Sequence, residues 1–206
     1  MKKKNRFCIY SIIFFLLAYS LSFPNSNDIS HSVLLEKNHI EFGYGHYDIG
    51  DIRYKKVYSQ GGEVFSLELS RLFLTNKHHH VGMSVGVRYF TKKGHATFTK
   101  ESSSLTINPL TLGLRYFLSL NSFIPWFEIG MDHYSYKEKS EIHTTNGSVF
   151  GYHLQGGLYI RIPCIKNLKV KISVKHTKAL TEENNIKVNL GGLEYSFGLA
   201  FGLNLF

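Results

Sequence analysis

Cysteine is nearly absent: the 206 residues hold two, Cys8 and Cys164. That excludes a disulfide-stapled scaffold. Long apolar runs are also missing. Beyond residue 22 no run approaches the roughly 18 residues that a membrane-crossing helix needs. Charged residues are sparse at 19%, against 43% hydrophobic, which is too apolar for a disordered chain. The sequence contains no Gly-x-Ser-x-Gly, no His-Glu-x-x-His and no phosphate loop. What it has in quantity is Gly (18), Tyr (13) and Phe (16). That usage fits many strands and tight turns, not a helix bundle. The length bounds the chain to one domain, or two small ones.

The N-terminus reads as a targeting segment. Lys2, Lys3, Lys4 and Arg6 precede an apolar stretch from Phe7 to Tyr19, and Ser20, Leu21 and Ser22 follow. A basic start, a short apolar run and small residues spaced by one describe a secretory signal peptide over residues 1–22. Cys8 lies at the start of the apolar stretch, so there is no lipobox. Removing that segment takes four of the 24 basic residues and none of the 15 acidic ones, leaving a net charge of about +5. No nucleic-acid partner is expected from so modest an excess. Residues 23–37 form a short N-terminal segment, and 38–206 the folded domain.

Over 38–206 the pattern alternates with a period of two. Phe150, Tyr152, Leu154, Leu158 and Ile160 fall on one parity; Gly151, His153, Gln155, Gly157, Tyr159 and Arg161 fall on the other. Such alternation marks a strand with one apolar and one polar face. It recurs over His80–Thr91, Leu110–Phe117, Leu168–Lys175 and Leu193–Leu205. It is less clean over Asn38–Tyr47, Gly62–Leu74 and Phe123–Tyr136. That makes eight strands. Short turns are expected near Thr75–His79, Ser119–Ser122 and Pro163–Asn167. Long polar loops are expected over Asp48–Gln60, Lys92–Ser103, Lys137–Gly147 and Lys178–Lys187.

The polar face is unusual for a soluble surface, because it is rich in glycine: Gly82, Gly86, Gly113, Gly151, Gly157, Gly198 and Gly202. An eight-stranded barrel has an interior only wide enough for side chains, and glycine leaves room for long neighbours. Most of the segments also reach the roughly 9–11 residues of a tilted membrane strand. The expected fold is therefore all-β, an eight-stranded antiparallel up-and-down transmembrane β-barrel. Its lumen is expected to hold a charge network: Glu41, Glu68, Glu128, Asp132 and Glu194 facing Arg88, Arg115, Arg161, Lys169, Lys171 and Lys175. Paired charges are tolerated in such a space, whereas unpaired ones are costly. Tyr44, Tyr89, Tyr116, Trp126, Tyr134, Tyr136 and Tyr152 near strand ends suggest interfacial girdles.

Two segments carry a resemblance. The end of the chain runs Asn189-Leu190-Gly191-Gly192-Leu193-Glu194-Tyr195-Ser196-Phe197-Gly198-Leu199 and closes on Phe206; Pro125-Trp126-Phe127-Glu128-Ile129-Gly130 lies mid-chain. Both resemble the eight-stranded outer-membrane β-barrel domain family that includes the OmpX-like and opacity-like proteins. The resemblance covers about 38–206. It implies the outer membrane of a bacterium, contact with outer-membrane lipids and lipopolysaccharide, and a terminal Phe206 read by the barrel-assembly machinery. Phe206 is one residue out of phase with Leu199, Phe201, Leu203 and Leu205; a bulge would restore the phase.

For chemistry the sequence offers little. Of His78, His79 and His80, only His78 and His80 have the spacing to share a metal on one strand face. His46, His133, His153 and His176 fall near expected strand ends as a candidate rim set. Relatives that deacylate lipid A carry His-x-Ser-Asn, and the nearest match, His176-Thr177-Lys178-Ala179, has Lys178 at the serine position. No catalytic site, metal or cofactor is therefore expected. The expected function is structural or surface-binding, of an adhesion type, with a host or matrix ligand at long outer loops and a monomeric state. The alternatives are a narrow OmpW-type channel for small solutes and, less favoured, a lipid-modifying enzyme.

Overall fold

The structure, a computed structural model, describes residues 36–58, 61–95, 101–120, 122–141, 143–162, 165, 167–183 and 186–203. The expected signal peptide, most of residues 23–37 and Phe206 lie outside the described residues. The elements are β1 (Asn38–Ile49), α1 (Ile52–Tyr58), β2 (Gly62–Thr75), β3 (His79–His95), β4 (Ser102–Leu118), β5 (Phe123–Ser140), β6 (Thr144–Arg161), β7 (Leu168–Glu183), β8 (Ile186–Asn189) and β9 (Gly192–Leu203).

Each strand from β1 to β7 pairs antiparallel with the next. β9 pairs with both β7 and β1 and closes the cylinder. β8 extends β9: Leu180↔Asn189 and His176↔Leu193 share one register along β7. The two are pieces of a single eighth strand, interrupted at Leu190–Gly191. There the Asn189 side chain accepts from the backbone N–H of Ala179 (3.2 Å) and of Gly191 (3.0 Å). The result is a closed eight-stranded antiparallel barrel. Closure gives every strand two partners, which lipid demands because it offers no hydrogen bonds of its own.

The alternation sets the two faces. Phe42, Leu67, Val85, Leu112, Ile129, Leu154, Ile172 and Phe197, one on each strand of the cylinder, are 39–58% exposed on the outer wall. The partners on the other parity are buried inside. Glycine makes that interior possible: a Cβ on Gly113 would lie 2.5 Å from the Glu128 carboxyl carbon, and one on Gly157 would lie 2.9 Å from the Trp126 ring. One bulge, between Leu72 and Leu74 opposite Gly82 and Val81, turns Leu72 inward while Phe73 and Leu74 both face out.

Three expectations are corrected. First, most of the residues expected in long loops are strand. β3 runs to His95, β4 begins at Ser102, β5 runs to Ser140 and β6 begins at Thr144. β3 to β6 overhang the shorter β1 and β2. In this overhang the faces exchange character. Phe90, Leu105, Ile107 and Tyr134 point inward, while Thr91, Lys93, Thr106 and Lys137 lie on the outside. That is the pattern of a water-soluble sheet, and its polar outer face made the segments look like loops. Second, the expected loop Asp48–Gln60 contains α1. Tyr54 and Tyr58, four apart and so on one helix face, stack at 4.8 Å and are buried over the barrel mouth. Third, Tyr44, Tyr89, Tyr116 and Tyr152 face outward as a girdle requires, but Trp126 and Tyr134 point into the lumen and Tyr136 packs against the cluster inside it.

Candidate functional site

The lumen has three layers. In the middle lies the charge network. The Arg115 guanidinium, fully buried, donates to Glu41 Oε1 (2.7 Å), Glu68 Oε2 (2.8 Å) and Glu128 Oε2 (2.5 Å). Lys171 Nζ donates to Glu41 Oε2 and Glu68 Oε2, both at 2.7 Å. Arg88 donates to Glu68 Oε1 (2.7 Å) and Gln155 Oε1 (3.3 Å), and its Nε lies 3.4 Å from Glu194. Lys175 Nζ donates to Asp132 Oδ1 at 2.8 Å. His153 lies between two carboxylates, with Nε2 3.0 Å from Glu128 and Nδ1 3.1 Å from Asp132. Adjacent strands place these groups: Arg115 pairs across the ladder with Glu128, and Glu41 with Glu68.

Two of the expected network residues lie elsewhere. Lys169 is at the end of the barrel that carries the chain termini, bonded to Glu36. Arg161 is near it, half-buried, with a bond to Ser119 Oγ (3.3 Å). The network keeps the expected Lys175 and adds His153, Gln155 and Ser84, whose hydroxyl donates to Glu128 (2.7 Å). His153 and Gln155 share the parity of Tyr159 and Arg161, so the signal that identifies them was present in the alternation.

Apolar layers close the lumen on both sides of this network. Toward the termini, Leu72, Phe117, Ile124, Trp126, Tyr159 and Ala200 pack together. Trp126 stacks on Tyr159 at 5.6 Å and lies 4.2 Å from the Arg115 guanidinium carbon. At the far end, Tyr47, Ile49, Phe90, Leu105, Ile107, Tyr134 and Leu190 pack under Tyr54 and Tyr58 of α1. The Tyr58 hydroxyl bonds Ser103 Oγ (2.6 Å) and donates to Glu138 (2.5 Å). Burial, and then the Glu138 carboxylate, push its phenol pKa up, so it stays a neutral donor. The Tyr47 hydroxyl donates to the Leu190 carbonyl at 2.6 Å.

The histidines do not assemble. His78 Nδ1 lies 3.3 Å from the Ser119 carbonyl and His79 Nδ1 lies 2.6 Å from the Tyr116 hydroxyl, while His80 is buried inside the barrel. His46, His133 and His176 are on the outer wall, and His153 is in the lumen instead of at a rim. Among the described residues no three His, Cys, Asp or Glu side chains form a metal-binding group.

Solved structures share this fold. Neisserial surface protein A is 10% identical, with 81% of this chain and 97% of that one covered and a TM-score of 0.57. The outer-membrane protein OprG of Pseudomonas aeruginosa is 14% identical, covering 81% and 95%, with a TM-score of 0.55. The attachment invasion locus protein Ail of Yersinia pestis, in complex with the heparin analogue sucrose octasulfate, is 16% identical, covering 82% and 100%, with a TM-score of 0.52. No family model and no curated protein matches the sequence. The chain has the fold of the eight-stranded outer-membrane β-barrels. An apolar belt around a closed cylinder is what a barrel that spans a lipid bilayer requires.

Proposed function

We propose that the protein is a surface-binding outer-membrane barrel that presents its protruding sheet to polyanionic ligands. The observation that carries this reading is the overhang of β3 to β6. On its outer face Lys93 pairs with Ser104 and Ser104 with Lys139, while Thr106 pairs with Lys137. Three cations thus stand on β3 and β5, separated by hydroxyl side chains of β4 that add hydrogen-bond donors. Such an arrangement suits a sulfated or phosphorylated chain. The Ail complex holds a ligand of that class. In this reading the overhang points away from the cell, and the termini and short turns face the periplasm.

The closed lumen favours this over the channel, because a conduit would need both apolar layers to part. The lipid-modifying alternative lacks a serine at position 178 and has no other recognisable nucleophile. Vesicles carrying the folded protein should bind heparin, more weakly as salt rises. The triple variant K93Q/K137Q/K139Q should lose at least tenfold in affinity, and unchanged binding would remove the reading. In planar bilayers the protein should give no steady conductance; a reproducible ohmic step would favour the channel.

A further inference from the structure

The outer wall carries a feature that neither the lumen nor the overhang explains. On the side where β7, β9, β1, β2 and β3 lie next to one another, two rows of side chains run across the strands. The lower row is Ile172, Phe197, Tyr44, Phe65 and Tyr89, each the cross-strand partner of the next. Tyr44 and Phe65 have ring centroids 5.1 Å apart, and the four aromatic side chains are about half-exposed. The row above is Val174, Tyr195, His46 and Glu63. Two open grooves follow these rows. One, of about 490 Å³, runs along Ile172, Val174, Tyr195 and Phe197; the other, of about 420 Å³, runs along Phe65, Tyr89, Lys92 and Lys93. They meet at His46 and Glu63, which line both.

Glu63 stands just above the row that holds Tyr44 and Tyr89, at the level where a tyrosine girdle meets lipid headgroups. Glu63 is held by a hydrogen bond with the Tyr44 hydroxyl and forms no salt bridge among the described residues. Lys92 Nζ is anchored to the Gly61 carbonyl (2.9 Å), and Lys93 stands exposed beside it. Lys92 is on the inward parity, so one anion, Glu63, and one cation, Lys93, share the outer groove, whose neighbour is apolar.

We propose that this wall binds a glycerophospholipid with a phosphoethanolamine headgroup. Its ammonium would donate to Glu63, its phosphate would lie against Lys93, and one acyl chain would lie along the aromatic row. A choline headgroup has no N–H to donate to the carboxylate, and a glycerol headgroup has no cation. The apolar groove has room for one chain, which favours a glycerophospholipid over many-chained lipid A.

The test is native mass spectrometry of the delipidated, folded protein in detergent. It is offered equimolar phosphatidylethanolamine, phosphatidylcholine and phosphatidylglycerol, and separately lipid A bearing phosphoethanolamine. Phosphatidylethanolamine should be retained at least fivefold over the other two. E63Q should bring it down to the phosphatidylglycerol level, while K93Q should lower all three together. Equal retention of the three by the wild type overturns the proposal, as does a preference that survives E63Q. Retention of the modified lipid A as strong as that of phosphatidylethanolamine overturns the choice of lipid class. The wild-type comparison stands even if a variant folds badly. Heparin binding should be unchanged in E63Q, so failure of this site and failure of the overhang reading are separable.

Discussion

Midway along the barrel the lumen is filled by Arg88, Arg115, Lys171 and Lys175 set against Glu41, Glu68, Glu128, Asp132 and Glu194. At either end it is filled by aromatic and aliphatic side chains. Both fillings exclude water, but they respond differently to damage. An apolar layer that loses a side chain loses contacts in proportion to the volume removed. A charged layer that loses one partner keeps the others, buried and uncompensated. The ends are therefore tolerant and the middle is not. The network also ties all eight strands of the cylinder, with β6 joined through His153 and Gln155 and β9 through Glu194, so one lesion there is felt around the circumference.

The sharpest way to break this contrast is at Arg115. Arg115→Met leaves Glu41, Glu68 and Glu128 without their shared cation. It should cost about 3–5 kcal/mol, the usual penalty for breaking a buried pair, measured by reversible urea unfolding in lipid vesicles. Converting Glu128 to Gln in the same chain should recover part of that loss, because it restores the charge balance while Lys171 still faces Glu41 and Glu68. If Arg115→Met alone costs under 1 kcal/mol, the middle layer is wet and the contrast with the ends fails.

The same contrast can be drawn through the wall at one point on β6. Leu154 is half-exposed on the outside, and Gln155 is buried inside against Arg88 and Ser173. Leu154→Arg places a cation in lipid and should cost about 2–4 kcal/mol near the midplane. Gln155→Arg adds a cation to a layer that already holds carboxylates, with overpacking of about 1–3 kcal/mol as the opposing effect. Unfolding both variants in one lipid gives the order. If Gln155→Arg is the worse by more than about 1 kcal/mol, the lumen has less room and less spare acceptor capacity than its five carboxylates suggest.

How much of this was legible in the sequence follows from the same distinction. Within the belt, lipid outside and charge inside give opposite chemistry on alternate residues. Leu112, Leu114 and Tyr116 against Thr111, Gly113 and Arg115 can be read directly. Above the belt the outer face meets water, so Lys93, Thr106 and Lys137 are polar while Leu105 and Ile107 turn inward. Alternation persists there with the faces exchanged, and its polar outer face resembles loop. Trp126 and Tyr134 lie near strand ends, as girdle residues do, but parity puts both in the lumen. The partners of Arg115 could be named as a set but not one by one, since pairing across β1, β2 and β5 depends on the stagger of a closed barrel. Glu36 carried no signal, because it precedes the first alternating residue.

A smaller effect is expected at the far cap. Tyr58→Phe keeps the ring that stacks on Tyr54 and removes the hydrogen bond to Glu138. A bond to a charged acceptor is worth about 1.5 kcal/mol at the low end, and water can reach this one. The change should be local. Trypsin added to the folded protein in vesicles should cut after Lys55 or Lys56 several times faster in Tyr58→Phe, with global unfolding little altered. Equal cutting rates would mean that α1 is held by its apolar face alone, which would make the far end even less dependent on polar contacts than the comparison supposes.

The smallest effect is at the opposite end, where Glu36 approaches His39 (3.3 Å) and bonds Lys169. Burial raises its pKa, but these two hydrogen bonds and the Lys169 charge outweigh it and hold the carboxyl at about 2. A glutamate in the unfolded chain titrates near 4.3. A carboxyl whose folded pKa is depressed stabilises the fold above its unfolded value, and the contribution is lost as pH falls toward the folded value. Glu36→Gln should therefore be less stable than the wild type at pH 7, by under about 1 kcal/mol, since this pair lies at the water-facing rim. The gap should narrow below about pH 4 and close near pH 2. The network carboxylates titrate in both proteins alike, so the difference between the two unfolding curves isolates Glu36. A gap that stayed constant from pH 7 to pH 3 would mean that Glu36 acts through packing at the terminal rim and not through charge. The terminal end would then join the far end as an apolar closure, and the charged middle would stand alone in its dependence on ion pairing.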